Sequence, residues 1–273
     1  DGAPQVLEHA YVAVEGTKIA SVGTEPPEGT FDRVVDGAGK VLLPGFVNAH
    51  THLPMTLMRG YGGGCDLHTW LNQYIFPAEA RLDSRAVAAG AGLGLAEMIA
   101  SGVTCVADMY MHTGTIAEQI LEAGISANLS CGGVYFGAPE DFSPETCGDC
   151  RNQAALTEEW HGAGAGQILV DASVHGEYTS NPPLWRWMAE YAAEHRLGMH
   201  VHVSETQSEH QASLERWGKT PIQALDGCGV WDCGRSLAAH CVYTTEEDWA
   251  LMARKHVSCV HNRWSNLKLG SGV

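Results

Sequence analysis

The feature that most constrains the fold is a regular alternation of strand-like and helix-like segments that begins after Pro44. Such an alternation predicts a parallel sheet whose strands are joined by crossover helices. Seven strand-like runs are one short of a TIM-type (β/α)8 barrel, which takes roughly 250 residues. We therefore predict an α/β fold of this kind in which strand 8 is missing. The seven runs are residues 45–49, 103–107, 126–130, 168–174, 199–203, 236–239 and 257–260.

The segment before the barrel has a different texture. Short strand-like stretches are separated by turn residues such as Glu15-Gly16 and Gly37-Ala38-Gly39, and they predict part of a small β domain. We place this domain at residues 1–44 and the barrel, strands 1–7, at residues 45–273. The predicted strands of the small domain are residues 6–14, 18–22, 33–36 and 41–43.

Charge and cysteine content narrow the class of partner. The formal net charge is −16, which repels phosphate backbones and anionic lipid headgroups. No apolar run reaches the roughly 18 residues of a membrane helix. We therefore expect a small-molecule substrate, no nucleic acid and no membrane, and we leave a homo-oligomer open. Nine cysteines without regular spacing indicate reduced thiols in a cytoplasmic protein.

Two His-x-His pairs indicate a metal site. His50 and His52 follow the first strand-like run, and residues two apart on a strand point to the same face. His200 and His202 lie on the fifth run, and His202 is nearer its carboxyl end, where such barrels place their chemistry. We predict His50, His52 and His202 as ligands and His200 as a packed or hydrogen-bonded core residue. Three imidazoles with one open position are typical of catalytic zinc, which lowers the pKa of bound water to about 7.

Three further polar residues follow apolar runs at the predicted barrel mouth. Glu205 comes just after the fifth run and suits proton transfer between water and substrate; the alternative is a solvated loop carboxylate. His240 closes the sixth run and could orient the water or stabilise charge at the reacting carbon. His175 closes the fourth run and is a candidate for substrate binding. No lysine stands in that run, which favours one metal ion over two.

These residues resemble the amidohydrolase superfamily, and most closely its S-adenosylhomocysteine/5′-methylthioadenosine deaminases and their atrazine-chlorohydrolase-like relatives. Residues 44–60, Pro-Gly-Phe-Val-Asn-Ala-His-Thr-His-Leu-Pro-Met-Thr-Leu-Met-Arg-Gly, are similar to the first strand and loop of that branch. The segments 202–205, 239–241, 261–262 and 265–269 fit it in the same order. The similarity spans nearly the whole chain.

The resemblance implies a barrel joined to a small β-sandwich domain and a hydrolase acting on C–N bonds other than peptide bonds. The implied reaction is deamination of an adenine nucleoside or related amino-heterocycle by metal-bound hydroxide, with ammonia released. It implies one divalent ion held by the three histidines, zinc in preference to iron or nickel, which imidazoles also suit. Glu205 would move protons and His240 would assist hydroxide. Trp70, Glu79 and His175 would meet the nucleoside, with Glu79 on the ribose hydroxyls.

Two departures from the family pattern leave alternatives open. The family's last metal-site residue is an Asp that ends strand 8, and the sequence stops at Val273, before that strand. We expect a fragment of a longer protein, and the alternative is a catalytically dead barrel. No arginine lies between Val103 and Cys150, where the family usually places groups for the amino-acid end of S-adenosylhomocysteine. A chlorohydrolase or a guanine or pyrimidine deaminase on the same fold is the other alternative.

Overall fold

The structure is a computed structural model that describes residues 6–273. The chain forms two compact units: the first ends at Pro44, and the second spans Gly45–Val273. The first five residues of the predicted 1–44 domain lie outside the described range. Within that range, no helix combines the length and the apolar character that a membrane crossing requires.

The described part of the first unit contains an antiparallel hairpin of β1 (Tyr11–Glu15) and β2 (Lys18–Gly23). The turn between the strands uses Gly16 at φ 58°, a conformation that glycine adopts without steric cost. The strands predicted at residues 33–36 and 41–43 are irregular instead. A strand needs a hydrogen-bonded neighbour, and among the described residues no strand pairs with these two segments. Their side chains are not packed either, since Val34 and Val41 are more than four-fifths exposed.

The second unit is a seven-stranded parallel sheet that curls into a nearly closed barrel with helices outside. Its strands follow one another in chain order, each paired with the next, which confirms the predicted parallel barrel with seven of its eight strands. They are β3 (Phe46–Thr51), β4 (Val103–Met109), β5 (Ser126–Ser130), β6 (Ile168–Gly176), β7 (Gly198–Val203), β8 (Ser236–His240) and β9 (Val257–Val260).

Helices connect the strands, and several begin at a side chain that caps them. Asp83 accepts a hydrogen bond from the Ala86 N–H, and Thr245 forms a reciprocal capping box with Asp248. The helices are α1 (Leu67–Thr69), α2 (Phe76–Glu79), α3 (Ser84–Ala100), α4 (Thr113–Ala123), α5 (Gly148–Trp160), α6 (Ala163–Gly166), α7 (Pro182–His195), α8 (Gln207–Trp217), α9 (Pro221–Asp226), α10 (Glu246–Arg254) and α11 (Arg263–Lys268), with a π-helix at Trp70–Ile75 and 3-10 turns at Leu53–Met58, Pro139–Asp141 and Glu177–Thr179.

The core lies between the barrel wall and the helices. In the largest cluster, Trp185 and Met188 of α7 pack against strand residues such as Val174 and Val201, and all four are buried. Because this apolar layer fixes each strand against its helix, the carboxyl ends of the strands come together at one end of the barrel. The candidate site lies at that end.

Candidate active site

The structure brings together the three imidazoles that the sequence predicts as ligands. His50 lies on β3, His52 follows that strand, and His202 lies on β7. The Nε2 atom of His202 is 3.1 Å from Nε2 of His50 and 3.2 Å from Nε2 of His52. Three imidazole nitrogens from the ends of two strands therefore face one point.

Hydrogen bonds to the other ring nitrogens determine which nitrogen faces that point. Nδ1 of His52 lies 2.5 Å from the Met109 carbonyl, and Nδ1 of His202 lies 2.6 Å from the His175 carbonyl. A carbonyl only accepts, so both Nδ1 atoms carry the proton and donate it. In the neutral rings the two Nε2 atoms then present lone pairs to one another at 3.2 Å.

Burial keeps these rings neutral. It lowers the pKa of His50 and of His202 well below the ordinary value, and the neighbouring imidazoles lower both further. Burial also lowers the pKa of His52, although the Met109 carbonyl opposes the change. Desolvation disfavours the charged imidazolium, so the cluster offers neutral ligands near pH 7.

The donor set fits a divalent metal ion. Nitrogens that bind one zinc ion at about 2.0–2.1 Å in tetrahedral geometry lie roughly 3.3 Å apart, close to the separations found here. The facing lone pairs repel each other unless a cation lies between them. In addition, each Nδ1 has an acceptor within hydrogen-bond distance, which is the usual arrangement behind metal-bound histidines.

His200 is the one member of the two His-x-His pairs that lies outside the cluster. It is 1% exposed, and its Nε2 lies 2.8 Å from Nδ1 of His50. Its Nδ1 lies 3.3 Å from the Ser130 hydroxyl, which donates to the Asp108 carbonyl. Burial lowers the pKa of His200 to about 3. Nε2 of a neutral His200 can therefore accept a hydrogen bond from the Nδ1–H of His50. This leaves Nε2 of His50 free for a metal.

Glu205 and His240 lie together at the edge of the cluster. Oε1 of Glu205 is 3.4 Å from Nδ1 of His240, and both side chains are buried. Burial raises the pKa of Glu205 to about 8, with a smaller contribution from Glu209, and it lowers the pKa of His240 to about 4. Oδ1 of Asn266 lies 2.8 Å from Nδ1 of His240, so that nitrogen donates and Nε2 is left as an acceptor.

The predicted substrate residues line a cavity of about 630 Å³ that also reaches the histidine cluster, Glu205 and His240. Trp70 donates from its indole N–H to the Tyr61 carbonyl. Glu79 is 8% exposed, and burial raises its pKa. His175 lies 3.0 Å through Nδ1 from the Thr179 hydroxyl. All eight predicted site residues thus border one cavity.

Two residues at this site were missed by sequence reasoning as site residues. Asn266 orients His240, and Glu209 accepts hydrogen bonds from the backbone N–H groups of Ser204 and Glu205. A sequence signal exists for Glu209, because Thr206-x-x-Glu209 has the spacing of a capping box. Asn266 lies in the segment 265–269 that carries the resemblance, but nothing in that segment alone indicates its partner.

Acidic and basic side chains on the cavity wall bear on which substrate can bind. Asp149 borders the cavity, and its Oδ2 accepts a hydrogen bond from the Val134 N–H. Two cationic side chains border the cavity as well. Arg59 is bound to both carboxylate oxygens of Glu97, and the Lys268 ammonium lies 5.6 Å over the Trp70 ring.

The chain thus has a nearly closed parallel barrel, with three convergent imidazoles and a buried carboxyl group beside a cavity at the carboxyl ends of its strands. The Amidohydrolase family model matches residues 41–273. The chain belongs to the amidohydrolase family, which confirms the resemblance seen in the sequence.

Two relatives indicate the branch. A protein of Syntrophomonas wolfei named 5-methylthioadenosine/S-adenosylhomocysteine deaminase is 37% identical over 273 residues, covering 100% of this chain and 62% of the relative. A protein of Methanothermobacter thermautotrophicus named 5′-deoxyadenosine deaminase is 40% identical over 275 residues, covering 99% of this chain and 63% of that protein. The chain thus spans less than two thirds of the length of these relatives.

Solved structures share the fold. An adenosine deaminase from Xanthomonas campestris with bound zinc superposes with a TM-score of 0.76 at 32% identity, over 84% of this chain and 51% of that one. An atrazine chlorohydrolase from Arthrobacter aurescens complexed with zinc superposes with a TM-score of 0.87 at 22% identity, over 98% of this chain and 64% of that one. The second likeness is a likeness of fold alone.

Proposed function

We propose that the chain carries the active site of a metal-dependent deaminase that hydrolyses the exocyclic C–N bond of an adenine nucleoside or a related amino-heterocycle. One observation carries the proposal. Three convergent Nε2 atoms, the buried Glu205 carboxyl and His240 border the same cavity. The names of the relatives, 5-methylthioadenosine/S-adenosylhomocysteine deaminase and 5′-deoxyadenosine deaminase, support it.

His50, His52 and His202 would hold the ion, and we prefer zinc to iron or nickel. A bound divalent ion would supply a Lewis acid that activates water at neutral pH. Metal analysis tests this part of the proposal. Mass spectrometry of the purified protein measures which ion is bound and how many equivalents are present.

Glu205 and His240 would handle the protons. In the overall reaction, the water oxygen bonds to the amino-bearing carbon, the C–N bond breaks and ammonia leaves. His240 presents Nε2 as an acceptor because Nδ1 is engaged by Asn266, so it can orient the attacking water. Glu205 would carry a proton from the water to the heterocycle, which makes the amino-bearing carbon more electrophilic, and then to the departing amino group.

Trp70, Glu79 and His175 would position the substrate. The buried Glu79 carboxyl borders the cavity and can accept hydrogen bonds from two vicinal ribose hydroxyls, which favours a nucleoside over a free base or a triazine. Asp149 disfavours a carboxylate that approaches the part of the wall where it lies. We therefore rank adenosine, 5′-deoxyadenosine and 5′-methylthioadenosine above S-adenosylhomocysteine as substrates.

Ammonia release from these nucleosides by the metal-loaded protein tests the proposal. We expect a chelator to abolish the release, and Glu205→Gln to reduce kcat by about 10²–10⁴-fold, because a positioned acid–base group contributes that much. Glu215→Gln, which changes an exposed carboxylate of α8, serves as the matched control and should leave kcat unchanged.

The proposal is wrong if the metal-loaded protein releases no ammonia from any amino-purine, amino-pyrimidine or triazine. Chloride release from a chlorotriazine in place of ammonia release would identify the alternative hydrolase on this fold. A homo-oligomer and a cytoplasmic location stay predictions, which size-exclusion chromatography and cell fractionation check.

A further inference from the structure

The turn that presents Glu205 is held from the helix that follows it. Thr206 caps α8, and its hydroxyl accepts a hydrogen bond from the Glu209 N–H at 3.1 Å. The Glu209 side chain turns back past this cap. Its Oε1 accepts from the Ser204 N–H and its Oε2 from the Glu205 N–H, each at 2.7 Å. One carboxylate therefore binds two consecutive backbone amides.

The backbone at this turn needs such support. Ser204 has φ +54°, a left-handed conformation that a residue with a Cβ adopts at some cost in energy. Ser204 is fully buried and Glu205 is 3% exposed, so neither amide can bind water instead. Short bonds to a carboxylate, with both oxygens engaged, compensate for the strained turn and fix the direction in which the next side chain leaves it.

We infer that Glu209 is a positioning residue for Glu205: its carboxylate fixes the left-handed Ser204–Glu205 turn and thereby places the Glu205 carboxyl beside His240 and the histidine cluster. The inference rests on the proposed function, in which Glu205 transfers protons. Glu209 acts through the backbone and through Glu205. It does not border the cavity in which the substrate is proposed to bind.

The opposite end of α8 offers a matched control. Glu177, also buried, accepts hydrogen bonds from the Arg216 guanidinium and the Trp217 indole N–H. Glu177 and Glu209 thus both fasten α8 to a neighbouring strand end through a buried carboxylate. Of these two carboxylates, Glu209 alone binds the backbone of Glu205. A purely structural role would make the two carboxylates equivalent in their effect on kcat.

The first test compares Glu209→Gln with Glu177→Gln in the metal-loaded protein. A glutamine at position 209 can accept from one backbone N–H and turns its own NH₂ towards the other, so the turn relaxes. A shift of about 1 Å at a reacting group can cost roughly 10²-fold in rate, and we expect kcat to fall by about that factor. We expect KM to stay within about twofold, because the proposed substrate contacts lie elsewhere in the cavity.

Both variants should lower the melting temperature, but Glu177→Gln should leave kcat within about threefold of the starting protein. The inference is overturned if Glu209→Gln keeps normal kcat, or if the two variants lose kcat equally. If Glu209→Gln does not fold, Glu209→Asp, whose shorter side chain reaches fewer amides, takes its place in the same comparison.

A rescue experiment separates the strained turn from general stability. Glycine adopts positive φ without a Cβ penalty, so Ser204→Gly in the Glu209→Gln background should recover part of the lost kcat. Ser204→Gly also removes a buried hydroxyl that has no hydrogen-bond partner among residues 6–273. No recovery, with the double variant folded, would contradict the inference.

A readout independent of activity keeps this inference distinct from the proposed function. Hydrogen–deuterium exchange of the peptide that contains Ser204 and Glu205 should accelerate in Glu209→Gln and stay unchanged in Glu177→Gln. If the protein shows no deamination at all, the proposed function fails, and the exchange data alone decide whether Glu209 holds the turn. Equal exchange in both variants would overturn that role.

Discussion

The ends of β3 and β7 carry the same His-x-His pattern and use it differently. His50 lies one residue before the end of β3 and His52 one residue beyond it, whereas His202 lies one residue and His200 three residues before the end of β7. Three of the four imidazoles meet at the cluster. The fourth, His200, forms a hydrogen bond with Nδ1 of His50, the ring nitrogen that faces away from the cluster. Depth along the strand therefore decides whether a histidine faces the cluster or supports another histidine.

At both strand ends, a buried carboxyl group binds backbone N–H groups just past the histidine cluster. At β3, Oδ1 of the buried Asp108 accepts from the Leu53 N–H at 2.6 Å, and its Oδ2 has no hydrogen-bond partner among the described residues. At β7, Glu209 uses both oxygens. Asp108, which lies on β4, is the less satisfied of the two carboxyl groups, since one of its oxygens lacks a partner.

The largest effect should follow from His202→Asn, which removes the histidine that joins the two strands in the cluster. We expect this variant to lose bound metal, and its metal affinity to fall by more than the roughly 10–100-fold typical of a residue behind the ligands. Metal content after dialysis measures it. A variant that keeps one equivalent of tightly bound metal would break the distinction between ligand and supporting histidine on β7.

A smaller effect should follow from His200→Asn on the same strand. Because His200 accepts from His50 rather than facing the cluster, we expect metal affinity to fall by about 10–100-fold while one equivalent still binds at saturation. Calorimetric titration with zinc gives both values. His195→Asn, a change at the last residue of α7, is the control and should bind zinc as the starting protein does.

The smallest effect concerns Asp108, the β4 residue that binds the Leu53 N–H just past the end of β3. Burial raises the pKa of Asp108 to about 7 from an unfolded value near 3.9. A raised carboxyl pKa contributes stability that is present below about pH 4 and is lost as pH rises through about 7. Between pH 5 and pH 6, the free energy of unfolding of the starting protein should therefore fall by about 1 kcal/mol relative to that of Asp108→Asn.

Urea unfolding of the metal-free protein at several pH values measures this difference. Asp141→Asn, at an exposed aspartate, should show no such divergence from the starting protein. A pH-independent difference between Asp108→Asn and the starting protein would mean that Asp108 stays ionised in the fold, and the contrast between the two strand ends would then need another explanation.

Much of the barrel could be predicted from the sequence because its strands are continuous apolar runs between helical segments. Each of the seven runs overlaps an observed strand. The strands predicted at residues 33–36 and 41–43 were wrong, since apolar composition does not reveal whether a pairing strand is present. Helix α5 was not predicted, because residues 137–166 are rich in Gly, Pro and acidic residues, although Asp149 in the first turn suits a helix start.

The candidate site, too, could be predicted in part from the sequence. A period of two on a strand indicates which histidines share a face, so the imidazole cluster can be predicted from the sequence alone. The capping-box spacing of Thr206 and Glu209 indicates a helix start but not that Glu209 binds the left-handed turn before it. Asn266 contacts His240 across 26 residues and leaves no local pattern. Their roles follow from the three-dimensional fold, which brings each of them against its partner.

The acceptors behind His52 and His202 have a consequence for how such a protein can change over time. Both are main-chain carbonyls, of Met109 and His175, and no side-chain substitution at those positions removes them. The tautomers of these two proposed ligands are therefore insensitive to side-chain substitution at Met109 and His175, whereas Trp70 and Glu79 border the cavity with side chains that a substitution would change. Substrate preference can therefore change through the cavity wall while the hydrogen bonds behind the two imidazoles stay in place.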